Sequence, residues 1–460
     1  MTRRLRRLAS GRLRIELHGG LDLGLPGAAG APIESAGPLR SVALLGHDHP
    51  RARCSLRVQV GERVARGQTL FVDRRRPEIR FASPAAGLVR VARREQVHEP
   101  VVVEVEVDEA DDLDVGPTFD PLDLERTRAL GREGVIRRLL EAGEWPALRT
   151  RPFGDLADPD VIPDALFVRA MDSHPGAPRA VDVMADRAED FRSGVAALAG
   201  LIEGPVYVSC DPGAALAVED LERVRVVEFA GAHPAGLVGT HVQHLFPLEG
   251  GRRVWYTGHQ EVLAIGRLFR EGRSDPERVV AIGGPLVPRP RLVRTRLGAR
   301  VGDFVRAELD SGGGRVVSGS LLSGRRAASA ENHLGRYHDQ VSLVREAASA
   351  IGGTPWPVPR RGRVRWFPTG RRVGDWTTAL HGRTRAMLPF AFFDEVAPLR
   401  SPMTLLLRAL VAGDFETARA LGVLELEEED VDLCSFVCPS KIEYGAFLRS
   451  ALDALEVQAR

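Results

Sequence analysis

Two glycine-punctuated halves, VQVGERVARGQTLF at 58–71 and FASPAAGLVRV at 81–91, constrain the fold of this chain more than any other feature in it. Each is a short β-prone run broken by a turn, and Gly61, Gly67 and Gly87 stand where a tight turn asks for φ > 0. Similar runs recur along the segment: VALLG (42–46), SLRVQV (55–60), TLFVD (69–73), GLVRVA (87–92) and VVVEVEV (101–107). The last alternates with period two, which suits a half-buried strand. Residues 40–110 are expected to form an all-β unit.

The paired halves resemble the hammerhead of lipoyl- and biotinyl-type domains, V-x-x-G-(D/E)-x-V-x-x-G-Q-x-L followed by S-P-x-x-G-x-V. The resemblance implies a barrel-sandwich hybrid. Carrier domains of that kind hang their cofactor on a hairpin lysine, whereas the single lysine here is Lys441, far from the pattern. The sandwich is expected without a swinging arm. The same scarcity argues against a Walker-type phosphate loop and a Schiff-base mechanism, both of which need lysine.

Residues 111–255 read as a Rossmann-like α/β domain. Helical periodicity over 124–143 leads to strand-like runs ALFVRAM (165–171), PVYVSC (205–210) and RVVEF (225–229), with a helical stretch at 187–204. Residues 256–330 open with a helical segment, EVLAIGRLFREG (261–272), and continue with the spacing of a small SLBB-like β-grasp module. Residues 331–460 combine a Pro/Arg-rich connector (354–372) with a helical C-terminal domain. Its acidic run, Glu427 to Asp430, reads as a solvated helix N-terminus, where negative charge is favourable. Residues 1–39 hold a basic leader and a GLDL segment, and the chain as a whole is expected to be mixed α/β (α+β).

Sixty-three Lys+Arg against 62 Asp+Glu give a formal charge of +1, which argues against gripping nucleic acid or anionic lipid as the main task. The four cysteines, Cys54, Cys210, Cys434 and Cys438, are too few and scattered for a secreted disulfide framework. The leader lacks the apolar core of a secretory signal. No stretch reaches the roughly 18 apolar residues of a membrane span.

Eight motifs then run in one order: GGLDLGLPGA (19–28), RTRPF (149–153), HPAGLVGTH (233–241), GGPLVPRPRLVRTRLGA (283–299), SGSLLSG (318–324), LGRYHDQVS (334–342), TLLLRAL (404–410) and LEEEDVDLCSFVCPSKIEYG (426–445). Together they resemble the family of the A subunit of the Na+-translocating NADH:quinone oxidoreductase (Na+-NQR). The resemblance implies one component of a multisubunit enzyme that oxidises NADH, reduces ubiquinone and exports Na+. This component would be peripheral, without a transmembrane helix, on the cytoplasmic face of the bacterial inner membrane. Its partners would be the membrane B subunit and, beside it, the C subunit of Na+-NQR. Ubiquinone would be the substrate, with NADH, flavins and Fe–S centres on other subunits and no cofactor on this chain. The basic leader, to about residue 16, lies outside the family pattern.

The family is related to the C subunit of the Rnf complex and to the flavoprotein of respiratory complex I. Cys434, Cys438 and Pro439 match the end of the Rnf cluster motif C-x-x-C-x-x-C-x-x-x-C-P, but Glu428 and Val431 stand where its first two cysteines belong. No cluster is expected, since four ligands are the rule. The cysteines read as buried helix residues or as a redox- or metal-responsive pair. The glycine-rich loop of the complex I flavoprotein corresponds to AGEWPALRTRPFG (142–154), where only Gly143 and Gly154 remain. Pro146 and Pro152 lack the N–H groups a phosphate cradle needs, so the nucleotide site is expected to be lost.

In the family, quinone contact is attributed to this stretch and to the one corresponding to LLGHDHPRA (44–52). A quinone site here would use Trp145, Leu148, Arg149 and Phe153, with Leu45 and His47 as the opposing lip. Aromatic faces supply burial, and an arginine or imidazole supplies hydrogen bonds to the carbonyl oxygens. The other reading is that these residues pack the old pocket shut or form a docking surface. No residue is expected to be catalytic. The histidines His47, His49, His233, His241 and His244 form no complete metal set, and Ser318, Ser320 and Ser323 show no nucleophile elbow or paired base. Two further functions compete: a purely structural assembly role, and a free-standing flavin or NAD enzyme, which bound flavin colour would reveal.

Overall fold

The computed structural model describes every residue except 1–2, 10, 94–100, 109–115, 307, 309–313, 329–331, 348–355, 361–362, 368–375, 380–383 and 460. Within 41–107, two small sheets face each other. Strands Ser41–Leu45, Val102–Val107, Gly87–Arg93 and Arg63–Val64 form one, and Cys54–Leu56, Thr69–Asp73 and Arg80–Ala82 the other. Alternation turns Val103 and Val105 into a core with Val42, Leu70, Phe71, Phe81 and Val89, and Phe71 stacks on Phe81 at 4.5 Å. This is the sandwich the glycine pattern implies. Gly61 and Gly67 do adopt φ of +88° and +80°. Gly87 does not: it is needed because a Cβ there would lie 1.9 Å from the Glu106 carbonyl oxygen. Close strand approach, not turn geometry, selects that glycine.

The α/β unit is a seven-stranded sheet ordered Arg3–Arg7, Leu13–Leu17, Val224–Ala230, Val206–Cys210, Ala165–Ala170, Val254–Gly258, Arg149–Arg151. The five inner strands are parallel, and the outer two run antiparallel to their neighbours. Both faces are covered, as a parallel sheet requires. Leu166, Val168, Val206 and Val208 meet helices Ala188–Ala199 and His259–Glu271 on one side. Phe167, Tyr207 and Phe229 meet helix Val238–Leu245 on the other. The leader is therefore no free tail, because its two strands extend this sheet. Helical periodicity over 124–143 resolves into two helices, Leu124–Ala129 and Gly131–Ala142.

The third unit is built on a six-stranded mixed sheet ordered Arg325–Arg326, Arg315–Ser318, Gln340–Val344, Glu277–Gly283, Arg291–Arg296, Ile33–Ser35. The helix assigned to this unit from sequence, 261–272, belongs instead to the α/β sheet. Its glycine packs it there: a Cβ on Gly266 would sit 1.7 Å from the Asp190 carbonyl oxygen and 2.9 Å from Gly194 N. The C-terminal part is helical, with Phe392–Val396, Met403–Ala412, Phe415–Ala420, Asp432–Val437 and Tyr444–Ala459 around Leu406, Leu407, Tyr444 and Leu452. Part of the connector, Trp356–Arg360 and Arg363–Phe367, pairs as an antiparallel hairpin. The remainder of 354–372 lies outside the described residues.

Gly266→Ala must drive the two helices apart. It is expected to destabilise the chain by about 1–3 kcal/mol, the usual cost of overpacking a tight core, read as a lower urea midpoint with unchanged slope.

Candidate functional site

The edge strand Arg149–Arg151 separates two clefts. Helix Gly131–Ala142 ends at Gly143, whose N–H bonds back to Leu139 and Leu140 carbonyls. A 3-10 turn, Trp145–Ala147, then carries the chain into the strand, with Pro146 pre-set for the turn. Strand alternation sends Arg149 and Arg151 towards Glu427, while Thr150 lines the opposite cleft.

The first cleft, about 410 Å³, lies between the sandwich, the α/β sheet and the last helix. Phe153, Trp255, Ile79, Leu156 and Ala52 give it apolar walls, and Arg51, Arg253 and Thr150 bring polar atoms. Arg51 spans three parts of the fold, bonding Asp155 at 2.7 Å and pairing with Asp453 and Glu456 of the last helix. Trp145 and Leu148 do not face this space, since both are fully buried behind it. Trp145 Nε1 donates to the Ala157 carbonyl at 2.7 Å, and its ring meets Trp255 edge-on at 5.6 Å. The Leu148 carbonyl accepts from Ala157 N at 3.0 Å. Phe153 is half-buried, with φ +81° and its carbonyl held by Arg449 Nη1 at 2.8 Å.

The second cleft, about 470 Å³, lies where all four units meet. His47 and Arg149 line it together; Leu45 is buried in a small cluster with Ala43 and Val102. The six residues singled out from sequence thus form no common slot. His47 and Arg149 face the polar cleft, Phe153 faces the apolar one, and Trp145, Leu148 and Leu45 are interior. Carboxylates dominate the polar cleft: Asp48, Asp172, Asp339, Glu427, Glu428, Glu429 and Asp432, against the guanidinium groups of Arg149, Arg169 and Arg325. A nucleotide phosphate would meet repulsion there.

The acidic run is not a solvated helix end. Glu427 and Asp430 are buried against Arg151, itself 0% exposed. Arg151 lies 3.3 Å from Glu427 Oε1 and from Asp430 Oδ2, and 3.7 Å from Glu429. Tyr256 Oη donates to Glu427 at 2.8 Å. The Arg149 guanidinium lies between two rings, 4.0 Å from the Tyr337 centroid and 4.6 Å from that of Tyr256. Burial pushes Asp430 up to about 7, with Glu429 and Glu427 adding to the shift and Arg151 opposing it. Sequence periodicity signals a helix start here but not its arginine partners, which lie almost 280 residues earlier.

Cys434 and Cys438 are buried, and Cys438 Sγ contacts Tyr444 Oη at 3.4 Å. Burial raises the Cys434 thiol. Among the described residues no group of three or more His, Cys, Asp or Glu is placed to hold a metal. His241 Nε2 bonds the Ala235 carbonyl at 2.9 Å, and His49 lies 3.2 Å from Tyr337 Oη. Two of the serines read from sequence as having no paired base do have a histidine beside them: Ser323 Oγ lies 3.3 Å from His174 Nε2, and Ser318 Oγ lies 2.9 Å from His338 Nδ1.

The Arg151 cluster has consequences for stability. Arg151→Met removes the cation 3.3 Å from both Glu427 and Asp430 and leaves Glu427 only the longer 3.9 Å pair with Arg149. It is expected to cost about 3–5 kcal/mol of stability in urea. A second consequence concerns pH. An unfolded aspartate titrates near 3.9, so between about pH 4 and 7 the folded chain holds a proton on Asp430 that the unfolded chain has released. Stability contributed by this group is therefore present at low pH and lost as pH rises through about 7. Asp430→Asn is expected to remove that share of the slope in a plot of unfolding free energy against pH.

Three family profiles match the chain: "NqrA N-terminal barrel-sandwich hybrid domain" over residues 15–108, "NqrA second alpha/beta domain" over 130–274, and "NQRA C-terminal domain", of SLBB type, over 279–329. The A subunit of the Na(+)-translocating NADH-quinone reductase of Shewanella amazonensis is 41% identical over 452 residues, covering 96% of this chain and 99% of that protein. Its counterpart in Neisseria gonorrhoeae is 40% identical over 449 residues, with the same coverage. Among solved structures, an NAD+-reducing [NiFe]-hydrogenase covers 51% of this chain and 50% of its own at 16% identity, with a TM-score of 0.37. That last likeness is too distant in shape to bear on function. The two-sheet sandwich, the α/β sheet, the mixed sheet and the identity along nearly the whole length agree: the chain belongs to the family of the A subunit of the Na+-translocating NADH-quinone reductase.

Proposed function

We propose that this chain assists quinone binding in its complex, without a redox cofactor of its own, and that the quinone head sits in the apolar cleft beside Phe153. One observation carries the reading. The stretches 44–52 and 142–154, far apart in sequence, both line that cleft, through Arg51 and Ala52 on one side and Thr150, Pro152 and Phe153 on the other. Phe153 and Trp255 present aromatic faces, and Arg253, which lines the same cleft, offers guanidinium donors to carbonyl oxygens. Arg51 is held by Asp155, Asp453 and Glu456 as part of the wall. Trp145 and Leu148 act behind the wall, holding Trp255 and Ala157 in place. His47, Arg149 and Leu45 take no part in this slot.

Electrons would reach ubiquinone from flavins and Fe–S centres on other subunits, with NADH oxidised elsewhere and Na+ exported by the membrane part. No helix among the described residues is long and apolar enough to cross a membrane. In this reading the chain is held at the cytoplasmic face by protein contacts, chiefly with the membrane B subunit and with the C subunit beside it. Burying a quinone ring removes on the order of 100 Å² of apolar surface and gains about 2.5 kcal/mol at ~25 cal/mol per Å². Micromolar affinity then requires a preformed slot.

Phe153→Ala is expected to weaken quinone binding about tenfold in titrations of the isolated chain and of the assembled complex. Phe447→Ala, an exposed ring on the last helix, should leave it unchanged. The purified chain should show no visible absorbance. Unaltered affinity and reductase activity in an intact Phe153→Ala complex would instead assign the chain a purely structural role.

A further inference from the structure

The polar cleft holds a constellation that the quinone reading does not use. His174 lies just beyond the carboxyl end of strand Ala165–Ala170, the side on which open α/β sheets place their ligands. The point is also where the strand order reverses, because the chain proceeds from this strand to Val206–Cys210 on one side and returns as Val254–Gly258 on the other. His174 Nδ1 lies 2.8 Å from Asp172 Oδ1, and the His174 backbone N–H donates to the same oxygen at 2.8 Å. Arg169 Nη1 holds the second carboxylate oxygen, Oδ2, at 2.7 Å. Across the cleft, His174 Nε2 is 3.3 Å from the hydroxyl of Ser323, an exposed residue on the turn after strand Arg315–Ser318. The Ser323 backbone N–H makes no hydrogen bond among the described residues.

Of the three other serine–histidine contacts among the described residues, one has a carboxylate near the ring. There Ser41 Oγ and Glu104 approach the same nitrogen, His333 Nε2, at 3.1 and 3.7 Å, so the carboxylate does not orient the ring from the far side. The other two lack this third member. Ser318 lies 2.9 Å from His338 Nδ1 and Ser173 lies 3.1 Å from His233 Nδ1, but no carboxylate is hydrogen-bonded to either ring. Burial holds His338 at about 4 and His233 well below the ordinary histidine value. His174 behaves oppositely. Burial pulls it down, yet Asp172 outweighs that pull, Glu429 adds to it, and Arg169 opposes it, for a net rise. A nucleophile within reach of a base that a carboxylate orients is the recurring arrangement of acyl-transfer sites.

We propose that Ser323 is an activated nucleophile, with His174 as its base and Asp172 as the residue that orients the base, in a site for small uncharged or cationic acyl esters. Ser323 Oγ bonds to the acyl carbon as its proton passes to His174 Nε2. The carbonyl electron pair moves to oxygen, for which the free Ser323 N–H is the nearest unengaged donor on the nucleophile itself. Collapse breaks the carbon–oxygen bond to the alcohol, which leaves with the proton from His174. Water repeats the two steps and frees the serine, so ester and water give acid and alcohol without redox change. The seven carboxylates of the cleft exclude acyl donors bearing phosphate or carboxylate groups, and about 470 Å³ sets the size. Nothing in this site depends on where a quinone binds.

The test uses the purified full chain and an uncharged fluorophosphonate probe, which phosphonylates an activated serine with loss of fluoride, followed by mass spectrometry of the peptides. One adduct, at Ser323, is expected. Ser323→Ala, which removes only an exposed hydroxyl, should abolish it, and His174→Gln should slow it at least a hundredfold. Labelling of the unaltered chain should rise with pH as His174 loses its proton in the field of Asp172, Glu429, Asp432, Arg169 and His338, with the His233 ring tilted against its own at 4.8 Å. Absence of an adduct, an adduct at another serine, or an unchanged rate in folded His174→Gln would overturn the proposal. If His174→Gln fails to fold, the pH profile decides, and a flat one overturns it.

Discussion

A buried guanidinium with three carboxylates around it sets the relation between the two halves of this protein. Arg151 comes from the edge of the α/β sheet, and Glu427, Glu429 and Asp430 come from the turn that starts helix Asp432–Val437. Taking such groups out of water costs several kcal/mol per ion, which their attraction offsets only with good geometry. The geometry is supplied twice over. Glu427 and Asp430 cap each other's backbone N–H groups, and Tyr256 adds a hydroxyl from the neighbouring strand. An apolar contact of similar size would hold the halves together as well but would tolerate sliding. The ion cluster pairs one guanidinium with carboxylates at 3.3–3.7 Å, and sliding would part those charges in a buried site, so it fixes where the helical part sits against the sheet.

The first forty residues reinforce that arrangement by visiting three of the four units in turn. Leu13–Leu17 is a parallel strand of the α/β sheet, Leu21 and Leu23 enter the helical core, and Ile33–Ser35 pairs with Arg291–Arg296. Between them, Gly20 N bonds the Glu395 carbonyl at 2.7 Å and Leu21 N bonds the His233 carbonyl at 2.8 Å. A segment used in this way has no core of its own. Its short apolar runs therefore read as a leader, because periodicity describes a residue's own element and not the element that receives it.

The same distinction explains what the sequence makes legible. The sandwich is readable from 58–91 because its turns and alternation are local, and the inner parallel strands are readable as apolar runs. Gly87 reads as a turn residue, yet its reason is different, since only the neighbouring strand shows that a Cβ would strike Glu106. Helix His259–Glu271 is visible as a helix but attaches, on sequence order, to the wrong sheet, because Gly266 carries its information through Asp190, some 76 residues earlier. At the candidate site, the aromatic residues near 145–153 stand out as a group. Which of them face outward depends on Ala157 and Trp255, and no spacing rule reports that. The acidic run looks solvated because its partners, Arg149 and Arg151, are distant in sequence. Ser323 and His174 are unreadable as a pair for the same reason.

Three residues of edge strand divide two environments of opposite character, and the division follows from pleating. The side chains of Arg149 and Arg151 both reach Glu427, Arg149 from the lining of the polar cleft and Arg151 from full burial beside it; Thr150 lines the other cleft, where apolar walls dominate. Each cleft selects against the ligand of the other. An uncharged ring gains little among Glu427, Glu428 and Glu429, which it cannot neutralise and whose water it would displace. An ion gains little beside Phe153 and Ile79, where Arg51 already has carboxylate partners such as Asp155. The nucleotide-binding glycines that this stretch lacks would have removed both features at once, for a backbone cradle leaves no room for Trp145 behind the wall or for the paired arginines in front of it. What fills the place of that cradle is the strand whose two faces now carry separate chemistries.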